Sequence, residues 1–386
     1  MSSRATSTRA PKGRCLVLLL EPTPYILPRA LYLKRDPGLS VDLYFTFLNS
    51  SQPWGADADA EGIQVVLDPS LSAMQRMKNV VGLLRRILRG DYGAAHLAGW
   101  AHWLVRLSIL ACYARGIPFA VESDTPLRTG NSAWRETVKS HIYPLWMRWV
   151  TFAIPGGTRQ ADYFRHYGVP EEKILVSHMT VDTAKLRATE TPCRREFRES
   201  RGIPEEQVVF LFVGRLVEQK AIDVLLAAFE IAAADESNLA LAIVGDGAER
   251  SLVESAARRF PGRLWFAGRE NQLGVISWMR SSDALVLPSR REPWGLVVNE
   301  AMVCGLPVIA SDACGCVDDL VFDEQNGYVF PVDDANKLAK SMTTLARDGG
   351  KRATMGEAAR RIIAPWVIER QAETIKTALV RMLNTK

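Results

Sequence analysis

The amino-acid sequence predicts an α/β protein made of two doubly wound domains. The chain has 386 residues, which is long for a single hydrophobic core. Short apolar segments of the kind that buried parallel strands show alternate with segments of helical length and pattern. A charged stretch at residues 191–202 interrupts this alternation, which starts again at Val208. These three observations together predict one doubly wound domain on each side of that stretch.

The overall composition is that of a globular protein. Hydrophobic residues make up 47% of the chain and charged residues 24%, and no apolar run approaches the ~20 residues that a membrane-spanning helix needs. The six apolar residues that begin at Cys15 are too few for a signal peptide and suit a first buried strand. We expect a disordered tail at residues 1–12, a first domain at 13–190, a second at 191–364 and a closing helical segment at 365–386.

The cysteines and the charges indicate the compartment and the surface. The six cysteines are mostly scattered through apolar runs, which predicts reduced thiols in the cytoplasm. No zinc site is expected, because Cys314-Gly315-Cys316 has no second cluster to accompany it. Residues 1–180 carry 21 Lys and Arg against 14 Asp and Glu, whereas the remainder carries 27 against 29. The basic first half is therefore expected to meet a negatively charged surface.

The first domain is predicted to alternate strands and helices. Each predicted strand is a short apolar run, and no glycine-rich dinucleotide fingerprint follows the first one. Predicted strands cover residues 14–20, 41–48, 63–67, 94–98 and 119–121, and predicted helices cover residues 25–34, 72–89 and 103–114.

The helix predicted at residues 72–89 combines an apolar stripe with a basic face that contains no acid. The stripe consists of Met74, Met77, Val81, Leu84 and Leu88, and the cations are Arg76, Lys78, Arg85, Arg86 and Arg89. Such a helix either lies in a membrane interface, or packs its stripe on the sheet and leaves its cations in water. The aromatic and basic residues between Trp134 and Trp149 leave the same two alternatives open.

The second domain alternates strands and helices more regularly. Because the strands are short apolar runs separated by helices, we expect parallel pairing through right-handed crossovers. Predicted strands cover residues 208–213, 239–244, 264–266, 284–288 and 308–310, and predicted helices cover residues 221–234, 248–259, 273–279, 296–304 and, at the end of the chain, 366–383.

The segment at residues 283–310 predicts a binding site. It has the order strand, loop, helix, strand, which places the loop at the carboxyl edge of the sheet, where open α/β folds bind ligands. The backbone N–H groups of Gly295 and Leu296 at the helix start favour an anionic group. Glu292 and Glu300 bracket this helix start with seven residues between them. Because carboxylates repel phosphate, these two are better suited to accept hydrogen bonds from sugar hydroxyls.

These features together indicate a nucleotide sugar as the ligand. Arg215 and Lys220 follow the first strand of the second domain, so both can reach one diphosphate at the same edge of the sheet. Taken singly, these cations would be surface charges. Glu292 would then be a loop charge and Glu300 an acid that the helix dipole favours.

The stretch PSRREPWGLVVNEAMVCGLPVIASD resembles the donor-site signature of the retaining glycosyltransferases of family 4. The positions that fall in register are Trp294, Gly295, Ala301, Met302, Gly305 and Pro307. The stretch GRLVEQKA is similar to the family's G-R-L-x-x-x-K-G, with Ala221 where the family usually has glycine. If that glycine needs a positive φ, the loop differs here, whereas alanine is tolerable if the glycine only permits close packing.

Further segments resemble the same family. Gly245-Asp246-Gly247 matches a G-D/E-G turn near the donor, although a tight turn alone explains it equally well. Arg269 follows the third strand, where the family holds the nucleotide base. At the end of the first domain TRQADYFRHYGVPEEKILVSHMTVD is also similar, and we expect Asp182 within it to serve in a turn or as a helix cap.

The acceptor is predicted to bind the first domain. The family often has a histidine after the strand at residues 118–121, whereas this chain has Glu122-Ser123-Asp124. A carboxylate at that point can align or deprotonate an acceptor hydroxyl. His96, at the end of the preceding strand, can face the same cleft, although a lone histidine at a strand end is more often structural.

The resemblance implies the glycosyltransferase B architecture, in which two Rossmann-like domains face a cleft and a closing helix crosses back onto the first domain. It also implies transfer with retention, no metal and no cofactor, with a nucleotide-diphosphate sugar as co-substrate. The candidate catalytic residues are Arg215, Lys220, Glu292 and Asp124. The candidate donor-binding residues are Gly214, Arg215, Lys220, Gly245, Asp246, Arg269, Glu292, Trp294, Gly295, Leu296 and Glu300, and the candidate acceptor residues are His96, Glu122 and Asp124.

The predicted reaction is sugar transfer to a saccharide acceptor, expected to be lipid-linked, in the synthesis of a cell-surface polysaccharide or glycolipid. We expect the enzyme in the cytoplasm or at the inner face of the cell membrane, with no nucleic-acid partner. An epimerase or hydrolase on the same fold would use the donor without an acceptor. A non-catalytic nucleotide-sugar-binding module is disfavoured because Arg215, Lys220, Glu292 and Glu300 are all present.

Overall fold

A computed structural model of the chain describes residues 13–48, 63–127 and 133–385. The chain forms two compact units, of which the first comprises Met1–His178 with Ile368–Lys386 and the second comprises Met179–Val367. The division after His178 comes earlier than the boundary expected after residue 190. The closing segment joins the first unit through its last helix.

A parallel sheet forms the centre of the first unit. Its strands are β1 (Arg14–Leu19), β2 (Ser40–Phe45), β3 (Gln64–Val65), β4 (Ala94–Ala98), β5 (Phe119–Ser123) and β6 (Phe152–Pro155), in the order β3-β2-β1-β4-β5-β6. The helices between them are α1 (Leu27–Arg35), α2 (Ala73–Arg89), α3 (Trp103–Ala114), α4 (Ala133–Met147) and α5 (Thr158–His166). All residues of β1 after Arg14 are buried, as expected of a strand covered on both faces.

The second unit contains another parallel sheet. Two helices precede it, α6 (Thr183–Ala188) and α7 (Arg194–Arg201). The strands are β7 (Val208–Val213), β8 (Leu239–Val244), β9 (Leu264–Gly268), β10 (Ala284–Leu287), β11 (Val308–Ser311) and β12 (Gly327–Phe330), in the order β12-β11-β10-β7-β8-β9. The remaining helices are α8 (Ile222–Asp235), α9 (Arg250–Arg259), α10 (Gln272–Ser281), α11 (Leu296–Cys304), α12 (Val317–Leu320), α13 (Ala335–Arg347), α14 (Gly349–Ile363) and, in the first unit, α15 (Ile368–Asn384). Two such units confirm the predicted fold class.

Helices cover both faces of the sheet in the first unit. Helices α1 and α15 pack on one face, where Leu33 and Ile375 join the core with Val17 of β1. Helices α2 and α3 pack on the other face, where Ile87 and Ile109 join a second core cluster. This two-sided covering is what allows the strands to be apolar throughout.

Local signals set the ends of the helices that matter most below. The Ser72 hydroxyl caps α2 by accepting from the Gln75 N–H at 3.2 Å, and Gly90 ends that helix with a φ of 80°. Helix α11 ends at Gly305, whose φ is 81° and whose N–H donates to the Met302 carbonyl at 3.0 Å. The Asp182 carboxylate caps α6 through the Lys185 N–H at 2.9 Å, which confirms its predicted capping role.

The strand orders determine where each sheet can bind a ligand. In the second unit β7 pairs with β8 on one side and β10 on the other, so the chain leaves β7 towards β8 and later returns to the opposite side. After β7 the chain therefore continues towards β8, and after β10 it continues in the opposite direction towards β11. A crevice at such a switch point is the usual ligand site of an open α/β sheet.

Candidate functional site

The loops after β7 and β10 are bound to each other at the switch point of the second unit. The backbone N–H groups of Arg290 and Arg291 donate to the Gln219 carbonyl at 2.9 and 3.2 Å. The Arg290 guanidinium also donates to the Asp223 carboxylate at 2.6 and 3.0 Å, and to the Asp333 carboxylate at 2.6 Å. These contacts fix the relative position of the two loops that carry the predicted donor residues.

The Lys220 ammonium and the Glu292 carboxylate form an ion pair across this junction. Their side chains retain only 16% and 12% of their exposure, so the pair is largely removed from water. Sequence reasoning assigned the cation to a diphosphate and the acid to sugar hydroxyls. The structure brings the two groups together, so the two predicted subsites adjoin.

The loops after β7, β8 and β9 form a second row of contacts on the other side of β7. The Gly214 N–H donates to the Val244 carbonyl at 3.0 Å, and the Gly245 N–H donates to the Gly268 carbonyl at 2.8 Å. A Cβ atom added at Gly245 would lie 1.8 Å from the Gly214 carbonyl oxygen. Glycine is therefore required at Gly245 by the close approach of two loops, which is a structural reason for the G-D-G turn.

Two exposed cations lie on this row, Arg215 after β7 and Arg269 after β9. Within the described ranges neither guanidinium has a hydrogen-bond or ion-pair partner. Asp246 lies between them in sequence, and its carboxylate caps its own loop by accepting from the Gly247 N–H at 2.9 Å. The edge therefore offers two cations that an anion can bind without breaking a contact in the described chain.

Ala221 resolves the question raised by its departure from the family pattern. Its φ and ψ are 53° and 48°, and it is fully buried. The loop thus keeps a left-handed conformation with an alanine in place, at a cost of roughly 1–2 kcal/mol. The position of Lys220 next to it is therefore kept without the glycine.

The start of α11 is built on Trp294 and Gly295. Gly295 has a φ of 100°, and its added Cβ would lie 2.9 Å from Cδ2 of Leu287, so the sharp turn into Leu296 and the helix needs glycine. Trp294 is 2% exposed, and its indole N–H donates to Asn299 at 2.9 Å. The Trp294 ring supports the loop from inside the core, and its N–H is not available to a ligand.

Glu300 lies within α11 and is half-buried. Burial raises the pKa of its carboxyl from 4.5 to about 7. Its carboxylate has no hydrogen-bond partner among the residues that the structure describes. A half-buried acceptor without a protein partner is suited to a ligand hydroxyl.

In the first unit, Glu122 at the end of β5 is held by two partners. The Arg29 guanidinium of α1 donates to it at 2.9 Å and forms an ion pair at 2.6 Å, and Nε2 of His96 lies 3.1 Å from the same carboxylate. Burial acts to raise the pKa of the Glu122 carboxyl, but Arg29 and the His96 hydrogen bond outweigh it and lower this pKa to about 2. Glu122 is therefore a fixed anion, and the three residues form a buried polar cluster.

Asp124 follows this cluster and its side chain is exposed. Partial desolvation at the sheet edge, together with the negative charge of Glu122, raises the pKa of the Asp124 carboxyl above its ordinary value. Of the three predicted acceptor residues, His96 and Glu122 are thus joined to each other. Asp124 is an exposed residue outside that pair.

Sequence reasoning missed Arg29 and Arg290. Arg29 stands in the apolar segment ILPRALYL, and a cation within such a segment signals a buried charge that needs an acid. Arg290 carried no such signal, because nothing in SRRE separates it from its neighbour Arg291. Its partners Asp223 and Asp333 are distant in sequence.

The segment from residue 194 to 362 matches the family described as Glycosyl transferases group 1. The matching segment lies within the second unit and makes up less than half of the chain. The D-inositol 3-phosphate glycosyltransferase of Streptomyces avermitilis is 30% identical over 211 residues, which are 51% of this chain and 44% of that protein. The protein of the same name from Xylanimonas cellulosilytica is 29% identical over 371 residues, 87% of this chain and 85% of that protein. The chain thus spans about half of the first relative and most of the second.

Solved structures share the fold of this chain. Anabaena HepE in complex with UDP has a TM-score of 0.75 at 18% identity, covering 95% of this chain and 99% of HepE. A glycosyltransferase from Rickettsia africae has a TM-score of 0.76 at 15% identity, covering 97% and 100%. The lipopolysaccharide glycosyltransferase WaaG has a TM-score of 0.63 at 18% identity, covering 94% and 98%. The fold is therefore the glycosyltransferase B fold.

The surface of α2 differs from the alternative in which the whole apolar stripe packs on the sheet. Its core face consists of Val80, Leu83 and Ile87, whereas Met74, Met77 and Leu88 of the predicted stripe are 70%, 59% and 49% exposed. The stripe therefore does not pack on the sheet as a whole. Of the described helices, none is both long and apolar enough to cross a membrane.

Arg86 is an exception among the cations of α2. Its guanidinium donates to the Asp42 carboxylate at 2.5 Å and to the Tyr44 hydroxyl at 2.6 Å, so it ties α2 to β2. Treating Arg86 as part of a free basic face was wrong. Lys78, Arg85 and Arg89 of α2 are exposed, as is Arg106 of the adjoining helix α3.

Proposed function

We propose that this protein is a glycosyltransferase that moves a sugar, with retention, from a nucleotide-diphosphate sugar to a saccharide acceptor. The observation that carries the proposal is the junction at the switch point, where Lys220 after β7 meets Glu292 after β10. A diphosphate needs cations, and a sugar needs acceptors for its hydroxyl protons. A junction with both kinds of group fits a ligand with both parts.

The relatives support the nature of the donor. The similar curated proteins are named glycosyltransferases, and HepE has been crystallised with UDP and with UDP-glucose. We assign the diphosphate to Arg215, Lys220 and the N terminus of α11 at Gly295 and Leu296. We assign the sugar hydroxyls to Glu292 and Glu300. The nucleoside is assigned to the row after β7, β8 and β9, at Gly214, Gly245, Asp246 and Arg269.

In the proposed reaction, the bond between the anomeric carbon and the diphosphate oxygen breaks, and the acceptor hydroxyl oxygen bonds to that carbon on the same face. The electron pair of the broken bond remains on the diphosphate. Arg215 and Lys220 oppose the negative charge that grows there, and a preorganised cation lowers the barrier because it acts most strongly in the transition state. Two cations can serve this role, which a divalent metal serves in other enzymes.

The acceptor hydroxyl must lose its proton, and we assign that proton to Asp124. Glu122 is a poor proton acceptor because its charge is already stabilised by Arg29 and His96, as its lowered pKa indicates. Asp124 is an exposed residue, and the raised pKa of its carboxyl makes it the better base. In this proposal His96 and Glu122 position the end of β5 and do not transfer protons.

We further propose that the acceptor is a lipid-linked saccharide, met at the cytoplasmic face of a membrane in polysaccharide or glycolipid synthesis. Helices α2 and α3 adjoin and contain no acidic residue. Together they expose apolar side chains, including Met74, Met77, Trp103 and Leu107, beside the cations Lys78, Arg85, Arg89 and Arg106. Anionic lipid contributes ~1 kcal/mol for each such cation, and apolar side chains add to it.

Cosedimentation with vesicles of phosphatidylcholine and phosphatidylglycerol tests the membrane contact. Changing Lys78, Arg85 and Arg89 together to glutamate should abolish binding at low salt and leave donor binding intact, because the donor site is in the other unit. The matched control changes the exposed Arg258, Lys340 and Arg361 of the second unit to glutamate, with the same change in net charge. If both triple variants lose vesicle binding equally, net charge alone explains the binding and the assigned surface is wrong. If the wild type does not bind the vesicles, the membrane contact is refuted.

Product analysis tests the reaction itself. The protein is incubated with UDP-glucose, UDP-N-acetylglucosamine or GDP-mannose, with and without lipid-linked saccharide acceptors, and the products are identified by mass spectrometry and NMR. A new glycosidic bond with the anomeric configuration of the donor supports the proposal. Inverted configuration refutes retention. Free sugar or a new nucleotide sugar formed from the donor alone identifies a hydrolase or an epimerase.

A further inference from the structure

The Lys220 and Glu292 ion pair has a consequence for selectivity at the donor site. We propose that Glu292 is a specificity-determining residue that favours the intact nucleotide sugar over the nucleoside diphosphate left after transfer, by competing for the Lys220 ammonium. This inference rests on the proposed function, since it concerns how the same site distinguishes its substrate from its product.

The competition follows from the ion pair itself. A lysine ammonium is a compact charge with three N–H donors, and here one carboxylate already holds it in a largely buried position. A nucleoside diphosphate that binds Lys220 brings a second anion next to Glu292. Either the two anions repel each other while sharing the ammonium, or the ion pair opens and leaves the Glu292 carboxylate without a partner, and both outcomes weaken binding.

A nucleotide sugar avoids this loss. Its sugar hydroxyls are donors, and they can take the place of the ammonium at the Glu292 carboxylate when the diphosphate takes Lys220. Each group then exchanges one partner for another. After transfer the sugar has left, so the carboxylate again competes for Lys220 and opposes retention of the nucleoside diphosphate.

The backbone around Glu292 prevents it from moving away from this competition. Its carbonyl accepts from the Gly315 N–H at 2.9 Å, and the two preceding residues donate to the Gln219 carbonyl, next to Lys220. The Arg290 guanidinium further binds the Glu218 carbonyl at 3.2 Å, on the same loop as Lys220. Because both loops are anchored to each other, Glu292 remains within reach of the ammonium.

Calorimetric titration of the full chain with two ligand pairs, UDP with UDP-glucose and GDP with GDP-mannose, tests the inference. For the pair that wild type binds, the nucleoside diphosphate should bind Glu292→Gln at least about fivefold more tightly than it binds wild type. The nucleotide sugar of that pair should bind Glu292→Gln as tightly as wild type or less tightly. Product inhibition by that diphosphate should increase in the same proportion. The control is Glu218→Gln, which removes an exposed carboxylate from the loop that carries Lys220 and should leave the affinities for both ligands unchanged.

A double-mutant cycle identifies the cation involved. In a Lys220→Ala background, Glu292→Gln should no longer improve diphosphate binding, because the group for which the carboxylate competes is gone. Unchanged or weaker diphosphate binding by folded Glu292→Gln, or an improvement that survives in the Lys220→Ala background, overturns the inference. If wild type binds no member of either pair, nor of a wider nucleotide-sugar panel, the proposed function itself fails.

Discussion

Replacing Glu300 with glutamine should stabilise the protein at alkaline pH while weakening donor binding. The Glu300 carboxyl is half-buried without a partner among the described residues, and burial raises its pKa from 4.5 to about 7. A carboxyl with a raised pKa in the folded state favours folding at low pH, and that contribution is lost as the pH rises through the folded pKa. Ionised Glu300 therefore destabilises the fold above pH 7.

The magnitude follows from the shift. A rise from 4.5 to about 7 corresponds to about 3 kcal/mol when Glu300 is fully ionised in both states. By linkage, the raised pKa destabilises the folded protein by about 1 kcal/mol at pH 5 and by nearly the full 3 kcal/mol at pH 8. Glutamine keeps the shape and cannot ionise, so the advantage of Glu300→Gln should grow by about 2 kcal/mol between these pH values, or about 4–8 °C in the unfolding temperature of a unit of this size.

Thermal and urea unfolding of both proteins from pH 5 to pH 8.5 measure this difference. Glu218→Gln is the control, because it removes an exposed carboxylate from the same unit. A stability difference for Glu300→Gln that does not change with pH would refute the argument from burial. Donor binding provides a second reading, since loss of a charged acceptor should weaken the nucleotide sugar by about 1.5–3 kcal/mol.

Two further predictions concern the other charged groups. Arg215→Ala and Lys220→Ala should each lower kcat well over tenfold while the fold persists, because these cations oppose charge that grows in the transition state; wild-type turnover in either variant contradicts the diphosphate role. Arg29→Gln should destabilise the protein by about 3–5 kcal/mol at pH 7, since the Glu122 carboxylate loses its buried partner. Because the pKa of Glu122 is lowered to about 2, that loss should be complete above pH 4.5 and shrink towards pH 2, and urea unfolding that shows no such trend contradicts it.

Much of the fold could be predicted from local patterns. Strands β4, β7 and β8 and helices α3 and α11 have the predicted bounds, since each is a continuous apolar or periodic run with clear stop signals. Helix α4 was not predicted, because Pro144 lies inside it and breaks the expected helical signal. Strand β3 is only Gln64–Val65, although the apolar run there is longer. At such edge positions tertiary pairing decides, and local propensity does not.

The positions of the candidate site residues in the sheet could be predicted, whereas their side-chain contacts could not. Composition and spacing placed Arg215, Lys220, Glu292 and Glu300 at one sheet edge, because the carboxyl ends of parallel strands meet there. Spacing could not reveal that Lys220 contacts Glu292, since the two residues lie on different loops. Nor could it distinguish Arg86, which binds Asp42 of β2, from the exposed cations of the same helix. Side-chain pairing over long sequence distances depends on the packed structure.

The pairings divide the acids of the two sites into two kinds. Glu122 and Glu292 each contact a cation of the protein, so each is a fixed charge that orients or excludes other groups. Glu300 and Asp124 have no such partner in the described chain, and the pKa of each is raised. Groups of this second kind change protonation closer to neutral pH, and we propose that they are the ones that tune activity. The pH dependence of donor binding should therefore report on Glu300, and that of acceptor transfer on Asp124.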